Sequence, residues 1–518
     1  MSVATLIDSH DSVGLGQLLR QGEVSAVELL QAVWQRMDAR NPALNALASR
    51  HDALALQQAQ AYRPDLTTSP VSGVPMLLKD ALADMAGVVT RSGTALSSRF
   101  STPTQDAELV RRYRAAGLVF AGKTTLPELG LTTSTESVLY GDTCNPWDVT
   151  RTPGGSSGGA AAAVAARMVP IAHGSDGGGS IRIPASNCGV FGLKPGRGRS
   201  PAAPGWAESW QGFVTEHVLT RSVRDSAALL DVMLTPTPHS VPSPALYNAG
   251  GSPAQGYLAA LQQPLRPLRI AYSLRPFLGG TVCEESQKAV LQAAQLLQDL
   301  GHTVDEAAPE LASPATLIKV MATVVTGSLA MVMDEIATKT GQPVRWHDVE
   351  PATWILSRQG RLATAGDMVW ARETALRQAW VFEKFHQQWD VLLTPTMNQL
   401  PSPIGAMGLL PSEAQLSSWL IGRLGLDRLL KYTPMVQRGL TQVMEYMGWT
   451  NVMNMTGQPS MSVPLYWSAP TATAPLGLPV GTMFTAPFAD ELTLLQLAQQ
   501  LEQAQPWWNR MPPLRLQQ

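Results

Sequence analysis

Two short segments rich in glycine and serine lie close together in this chain, joined by one small-residue helix and one apolar strand. The first, GGSSGG, spans residues 154–159, and the second, GGGS, spans residues 177–180. Glycine at this density lets backbone N–H groups converge on an anion, because no Cβ atom blocks their approach. A serine beside such converging N–H groups can attack a carbonyl carbon. The stretch from 151 to 199 therefore predicts an active site.

Apolar residues recur along the chain with spacings that alternate between helix and strand. Helical spacing covers residues 25–37, 106–116, 160–168, 284–300 and 492–503. Short apolar runs typical of buried strands cover residues 71–80, 118–121, 169–172, 268–272, 463–467 and 480–484. This alternation predicts an α/β protein built around a largely internal sheet.

The whole chain, residues 1–518, is expected to form one domain, because no clean boundary or internal repeat interrupts it. The core that carries the motifs spans about 70–235. Two stretches rich in proline, glycine and serine, about 235–256 and 396–434, break the alternation of helix and strand. Loops of this kind often overhang a site, so we expect them to form its variable walls.

The composition is that of a soluble globular protein, with 45% apolar and 15% charged residues and a formal net charge of −2. This balance predicts no nucleic-acid partner. Three cysteines, far apart, indicate neither a disulfide framework nor a zinc site, and we infer no metal and no cofactor. The N-terminus lacks a leader pattern, and the uncharged stretch 446–489 is too broken by proline to span a bilayer. We therefore expect a cytoplasmic protein without a membrane anchor.

Two other motif matches compete with this interpretation. Residues 117–124, GLVFAGKT, fit the P-loop pattern, but a P-loop follows a strand and opens a helix. Here residues 118–120 themselves have strand character, and Pro127 disfavours a helix after Lys123, so ATP binding is not expected. GGSSG also fits the nucleophile elbow of α/β-hydrolases, yet no apolar strand precedes it and no histidine motif follows. His173 is interpreted as structural rather than as a base.

Lys79, Ser156 and Ser180 lie in segments that resemble a known family. The matching segments are LLKD, AGKTTLPELG, NPWD, TPGGSSGGAAAAVAA, SDGGGSIRIPASNCGVFGLKPGRGR, NMTGQPSMSVPLYW and GLPVGTMF. On these segments the chain resembles the amidase signature family of Ser-cisSer-Lys hydrolases over nearly its whole length. The resemblance implies that family's fold, a central mixed, twisted sheet flanked by helices on both faces.

The resemblance also implies a role for each of these side chains. Ser180 would be the nucleophile that carries the acyl group, Ser156 would relay its proton, and Lys79 would be the general base, which Ser157 helps to position. A serine hydroxyl must lose its proton as it attacks, and a buried lysine can accept that proton because burial lowers its pKa. A cis peptide bond between Gly155 and Ser156 is implied as well.

The loop that carries the nucleophile is expected to bind the oxyanion of the reaction. The candidate donors are the N–H groups of Gly177, Gly178, Gly179 and Ser180. Family members usually have threonine where this chain has Gly177, which leaves the exact set of donors open. Asp176 and Arg182 flank this loop and are interpreted as an ion pair that fixes it.

These residues predict an amidase that hydrolyses the C–N bond of a small-molecule amide. The segments AHGSDGGGSIRIPAS and CGVFGLKPGRGR resemble the group that includes 6-aminohexanoate cyclic-dimer hydrolase, which implies small linear or cyclic aliphatic amides. Two alternatives stay open: the glutaminase-type A subunit of a tRNA-dependent amidotransferase, and a scaffold with this fold that has lost its chemistry. Relatives often dimerise, so a homodimer is considered, although the sequence identifies no interface.

Overall fold

The computed structural model describes residues 3–64, 69–205, 207–235, 252–407 and 434–514. Most of the two stretches predicted as variable loops, residues 236–251 and 408–433, lies outside these ranges. The described start of the second stretch, residues 396–407, carries no helix or strand.

The strands of the described residues form one large sheet and one small one. Their bounds are β1 Leu47–Arg50, β2 Pro75–Lys79, β3 Val119–Thr124, β4 Glu136–Ser137, β5 Gly141–Asp142, β6 Ile171–Asp176, β7 Phe191–Lys194, β8 Thr215–Thr220, β9 Arg269–Tyr272, β10 Thr303–Glu306, β11 Val391–Pro395, β12 Ser460–Trp467 and β13 Pro479–Thr485. Eleven of them pair in the order β1-β3-β2-β6-β8-β7-β12-β13-β11-β9-β10, and β4 pairs with β5. Parallel and antiparallel pairs both occur, so the sheet is mixed, as the family resemblance implied.

Helices flank this sheet. The described α-helices are α1 Val3–Ser9, α2 Ser12–Gln21, α3 Ala26–Leu44, α4 Asp52–Ala61, α5 Glu108–Ala115, α6 Gly158–Ala165, α7 Arg182–Cys188, α8 Val223–Leu234, α9 Tyr257–Ala260, α10 Glu284–Asp299, α11 Pro314–Thr340, α12 Pro351–Gly360, α13 Ala365–His386, α14 Pro434–Met447, α15 Thr450–Thr456 and α16 Glu491–Ala504. Short 3-10 helices span Ala95–Arg99, Glu128–Gly130 and Ser209–Gly212. Each helix and strand predicted from residue spacing is present, with ends shifted by up to seven residues; the largest shift is at the end of α3, which runs to Leu44 rather than to residue 37.

Three central strands bring the sequence motifs together. Strand β2 pairs in parallel with β3 on one side and with β6 on the other. Because parallel strands end at the same edge of a sheet, the last residue of β2, Lys79, lies close to the end of β6. All five residues of β2 are buried, as its apolar run predicts for a strand covered on both faces.

The small residues of α6 let this helix pack closely in the core. All eight of its residues are buried, and the helix contacts β6 and α7. A Cβ atom on Gly159 would lie 2.4 Å from Oγ1 of Thr125 and 2.7 Å from the carbonyl oxygen of Ala46. The glycines and alanines that follow the first serine cluster therefore set the position of the helix, and with it the position of the serines before it.

Helix α11 is long and apolar enough, by length and composition alone, to cross a membrane. Half of its most apolar stretch is buried inside the protein, and Val320, Met321 and Val324 belong to an apolar cluster of the core. A core helix of a soluble protein meets the same criterion. The sequence analysis did not single out this helix.

Neither alternative motif interpretation fits the fold. Residues 117–124 form a turn followed by β3, and the fully buried Lys123 places its Nζ atom 3.3 Å from Oδ1 of Asp80. A short 3-10 helix, Glu128–Gly130, follows in place of the helix that a P-loop opens. No strand lies in residues 143–153, which the structure describes in full, so the support of a nucleophile elbow is missing before GGSSG.

Candidate active site

The amine of Lys79 is surrounded by hydroxyl groups. Its Nζ atom lies 2.7 Å from Oγ of Ser156, 2.9 Å from Oγ of Ser157 and 3.0 Å from Oγ of Ser175. The lysine is only 1% exposed, so water does not compete for these contacts. Ser156 and Ser157 lie beside this lysine as the family resemblance implies, and Ser175 is a third contact that the resemblance does not include.

The surroundings of Lys79 favour an uncharged amine. Burial lowers the pKa of Lys79 to about 7, although the carboxylates of Asp176 and Glu216 act to raise it. The backbone N–H of Lys79 donates to Nδ1 of His173 at 3.3 Å, and Nε2 of His173 lies 3.2 Å from Oε1 of Glu216. Because Nδ1 accepts, the hydrogen-bond network assigns the imidazole proton to Nε2. His173 is thereby engaged on both nitrogens, which fits the structural role predicted for it.

The three hydroxyls match the hydrogen-bonding capacity of a neutral amine, which has two N–H donors and one lone pair. The Ser157 hydroxyl donates to the carbonyl oxygen of Ser175 at 3.2 Å, so it accepts a hydrogen bond from Lys79. The lone pair of the amine is then left for the hydroxyl of Ser156 or Ser175. A lone pair directed at a serine hydroxyl is what a general base needs.

Ser156 and Ser157 immediately precede α6. The peptide bond between Gly155 and Ser156 is cis, as the family resemblance implied. A Cβ atom on Gly155 would lie 2.6 Å from each of two backbone carbonyl oxygens, so glycine is required at this position. Glycine before the first serine therefore reflects close packing of the chain, which composition alone does not reveal.

Ser180 lies in the turn between β6 and α7 and is half-buried. Its carbonyl oxygen accepts the N–H of Ser157 at 3.2 Å. Its hydroxyl makes no hydrogen bond to any residue that the structure describes, so it does not bond to Ser156. The structure thus brings Lys79, Ser156 and Ser157 into direct contact and holds Ser180 beside them through the main chain.

Three of the four predicted oxyanion donors are free to bind a ligand. The N–H groups of Gly177, Gly178 and Ser180 have no acceptor among the described residues. The N–H of Gly179 instead donates to Oδ1 of Asp176 at 2.7 Å. The expectation that Gly179 donates to an oxyanion is therefore wrong, because a buried carboxylate already accepts its proton.

Asp176 and Arg182 form the predicted ion pair, and both side chains are fully buried. Nη2 of Arg182 lies 2.9 Å from Oδ1 of Asp176, and Nε lies 2.9 Å from Oδ2. Asn454 adds a third donor to Oδ1, also at 2.9 Å. Burial raises the pKa of Asp176, but Arg182 and its other partners outweigh burial and hold the pKa well below its ordinary value. The charged pair therefore fixes the start of the loop of residues 177–181 between β6 and α7.

Two groups of site residues were missed by the sequence analysis. Ser175 is two residues beyond His173 on β6, so the alternation of a strand places both on the face that meets Lys79, and this signal was available. Glu216 and Asn454 lie on distant segments, and no local pattern connects them to the site. Within the described part of the chain, no group of three or more His, Cys, Asp or Glu side chains could hold a metal ion.

Comparison with known proteins places this geometry in a family. The model of the family described as Amidase matches residues 28–495. This chain belongs to the amidase signature family. A 6-aminohexanoate-cyclic-dimer hydrolase from Paenarthrobacter ureafaciens is 32% identical over 513 residues, covering 98% of this chain and 97% of that amidase. A lipoamidase from Enterococcus faecalis is 33% identical over 488 residues, covering 93% of this chain and 62% of the relative.

Solved structures of amidases share the fold. The structure of 6-aminohexanoate cyclic dimer hydrolase complexed with substrate superposes with a TM-score of 0.83 at 32% identity, over 97% of this chain and 98% of that chain. A bacterial aryl acylamidase of the family superposes with a TM-score of 0.81 at 22% identity, covering 98% of this chain and 99% of that chain, and shows the same fold. The chain is therefore an amidase, a hydrolase that acts on amide C–N bonds.

Proposed function

We propose that this amidase hydrolyses small linear or cyclic amides through an acyl-enzyme on Ser180, with Ser156 as proton relay and Lys79 as base. The observation that carries the proposal is the 2.7 Å contact between Nζ of Lys79 and Oγ of Ser156, made by a buried amine whose pKa is lowered to about 7. A buried lysine that can be neutral is able to accept a proton at physiological pH.

In the first step, Oγ of Ser180 forms a bond to the carbonyl carbon of the amide. Its proton passes to Oγ of Ser156 as the proton of Ser156 passes to Nζ of Lys79, which becomes an ammonium. This relay requires the Ser180 hydroxyl to approach Ser156, and catalytic hydrogen bonds of this kind often tighten only when substrate binds. The carbonyl oxygen gains the negative charge.

That charge is stabilised by the nucleophile loop. The free N–H groups of Gly177, Gly178 and Ser180 are available as donors, and losing one such donor typically costs about 100- to 1000-fold in rate. Their positions depend on the buried pair of Asp176 and Arg182, which holds the loop by hydrogen bonds to its backbone. Asp176 and Arg182 therefore act as positioning residues.

The second half of the reaction restores the enzyme. As the C–N bond breaks, the Lys79 ammonium returns its proton through Ser156 to the leaving nitrogen, and the amine or ammonia departs. Water then attacks the acyl carbon of the ester and gives a proton along the same relay to Lys79. As the bond between that carbon and Oγ of Ser180 breaks, the proton returns through Ser156 to Oγ of Ser180, and the acid product leaves and ionises in solvent. No group outside Lys79, Ser156, Ser180 and the loop donors is needed to balance the protons.

Small linear or cyclic amides are supported as substrates by the relatives. The relative with 98% coverage of this chain is named for hydrolysis of a cyclic dimer of 6-aminohexanoate, and the Enterococcus relative is named a lipoamidase. The first of these names describes a cyclic amide built from an aliphatic amino acid. We therefore place aliphatic amides first among the candidate substrates.

The test is an assay of the purified full chain against aliphatic, aryl and cyclic amides, with product amine and carboxylate both measured. Hydrolysis of aliphatic or cyclic amides by the chain alone supports the proposal. Activity that appears only with glutamine and added partner subunits would favour the glutaminase-type A subunit of an amidotransferase. A folded chain that neither hydrolyses an amide nor reacts with a fluorophosphonate would be a scaffold without chemistry.

A further inference from the structure

The indole of Trp210 occupies the space beside Gly177 in which other side chains would lie. Trp210 belongs to the 3-10 helix Ser209–Gly212, between β7 and β8. A Cβ atom on Gly177 would lie 2.9 Å from Cε3 and 3.0 Å from Cζ3 of this indole, and 3.0 Å from Cγ2 of Val214. Glycine at position 177 thus has a physical reason, because the indole of Trp210 and Val214 occupy the space that a side chain would need.

The backbone that presents this indole is unusual. Trp210 has φ 49° and Gln211 has φ 54°, both in the left-handed region that residues other than glycine rarely adopt. Nη1 of Arg372 donates to the carbonyl oxygen of Gln211 at 2.6 Å, and Nε of Arg197 donates to that of Gly212 at 2.9 Å. Two arginines from different parts of the chain therefore hold the turn in a strained form, and such strain clusters at functional sites.

A second apolar side chain lies against the same loop. Cε of Met321, from α11, is 3.1 Å from the position that a Cβ atom on Gly178 would take. Trp210 packs against the apolar cluster that contains Met321 and Phe213. The Cβ positions of Gly177 and Gly178 thus border an aromatic ring and a thioether, and the side-chain amide of Asn451 lies farther out, with its Nδ2 atom 3.5 Å from the Cβ position of Gly178.

We propose that Trp210 is a specificity-determining residue, whose indole forms, with Met321, an apolar wall that binds the hydrocarbon part of the amide beside the reacting carbonyl. This inference rests on the proposed amide hydrolysis at Ser180 and adds its substrate class, amides with a short aliphatic chain. An indole is a large, rigid apolar surface, and apolar walls discriminate by the length of the chain that they cover.

The first experiment compares kcat/KM for two series of amides, one lengthened on the acyl side from acetamide to hexanamide and one lengthened on the amine side from N-ethylacetamide to N-hexylacetamide. Wild-type protein is expected to prefer the longer chain in one series by about 10- to 100-fold. Trp210→Ala is expected to lose most of that preference, measured as the ratio of kcat/KM for the longest and the shortest amide of the series. The matched control is Trp380→Ala, because Trp380 is 70% exposed on α13.

A second experiment measures the coupling between Trp210 and Gly177. Gly177 has no positive φ angle, so alanine suits its backbone and only its neighbours oppose a Cβ atom. Gly177→Ala alone is expected to lower kcat/KM by at least about tenfold, and the same change in the Trp210→Ala background by less than about threefold. Equal losses in both backgrounds would overturn the proposed contact.

Folding and chemistry are checked separately in each variant. Thermal unfolding shows whether Trp210→Ala remains folded. Trp210→Phe is a milder change because it keeps an aromatic ring, and we expect its preference for chain length to lie between those of wild type and Trp210→Ala. Reaction of Ser180 with a methyl and with an octyl fluorophosphonate gives a readout independent of turnover. If wild type neither reacts nor hydrolyses any amide, the proposed function fails. If the wild type reacts and hydrolyses amides but shows no preference for chain length, this inference alone fails. It also fails if the folded Trp210 variants keep the chain-length preference of the wild type.

Discussion

The N–H of Gly179 donates to the Asp176 carboxylate at 2.7 Å, so the nucleophile loop is attached to a buried ion pair rather than held by turn geometry alone. Oδ2 of Asp176 also accepts the N–H of Ile181, one residue beyond Ser180, at 3.1 Å. The carboxylate therefore holds the chain on both sides of Ser180. Loss of its charge affects the loop and the stability of the protein together.

Asp176→Asn is expected to destabilise the protein by about 3–5 kcal/mol at neutral pH, because it leaves Arg182 buried without its counter-charge. The pKa of Asp176 in the folded state lies below that of the unfolded chain, so the pair contributes its full stability above about pH 4 and loses it as the pH falls further. Urea unfolding measures both effects. Lys339→Met, which breaks an exposed pair with Glu335, is the control and should cost at most about 0.5 kcal/mol.

Ser180→Ala is expected to abolish amide hydrolysis and labelling by a fluorophosphonate, with a loss in kcat of about 10⁶-fold if Ser180 is the nucleophile. The variant should melt at the temperature of wild type, because the Ser180 hydroxyl makes no hydrogen bond within the described residues. Mass spectrometry of the labelled protein locates the modified residue. Label found on Ser156 or Ser157 in the wild type would contradict the assignment.

Lys79→Met is expected to lower kcat by at least about 1000-fold, because Lys79 is the one hydrogen-bond partner of the Ser156 hydroxyl among the described residues. The unfolded amine binds a proton below its usual pKa of 10.5, whereas the folded amine does so only below about 7. The cost in stability of burying this lysine therefore grows as the pH falls from 10.5 to about 7 and stays in full below that, so the variant should melt no lower than wild type at pH 8. Lys194→Met removes another fully buried lysine whose pKa is lowered to about 7 by burial, and should keep most of the activity.

The pH dependence of kcat/KM on an uncharged amide should report the Lys79 amine. Only the unprotonated form accepts a proton, and its pKa is lowered to about 7, so the rate should rise about tenfold per unit below pH 7 and level off above it. Stopped assays across pH 5 to 10 in buffers of constant ionic strength provide the measurement. A rate that is flat through this range would exclude an amine with this pKa as the base.

Glu216→Gln should move the acid limb of that profile to lower pH. The Glu216 carboxylate favours the protonated form of Lys79, as Asp176 does, so removing its charge lowers the pKa of the amine further. Glutamine keeps an oxygen that can accept from Nε2 of His173, so the contact is preserved while the charge is lost. Glu335→Gln, on the outer part of α11, should leave the profile unchanged. A limb that stays in place would show that Glu216 does not act on the base.

The sequence predicted most of the framework because its signals are local. Apolar spacing located β2, β3, β6 and their helices, and the serine clusters located the site. Lys79 was assigned through a family resemblance, since a lysine at the end of a strand has no other distinguishing pattern. The conformational role of Gly155 and the occupied N–H of Gly179 depend on close contacts that spacing does not encode.

Other parts of the site depend on long-range pairing. Glu216 contacts His173 because β8 pairs antiparallel with β6, and no sequence pattern in either strand predicts that pairing. Trp210 reaches Gly177 through two left-handed residues whose conformation is imposed by Arg197 and Arg372, from distant regions. Contacts of this kind depend on the tertiary structure and cannot be predicted from local sequence. The ion pair of Asp176 and Arg182 could be predicted because its two residues are close in sequence.

The N–H of Ser157 donates to the carbonyl oxygen of Ser180, which ties the two catalytic segments directly to each other. Trp210, in contrast, stands on a separate four-residue turn that makes no part of this link. If Trp210 selects the substrate as proposed, exchange of that turn should change which amides bind while the contacts of Lys79 with Ser156 and Ser157 remain. The residues proposed for the reaction and the residue proposed for substrate choice therefore lie on different segments of the chain.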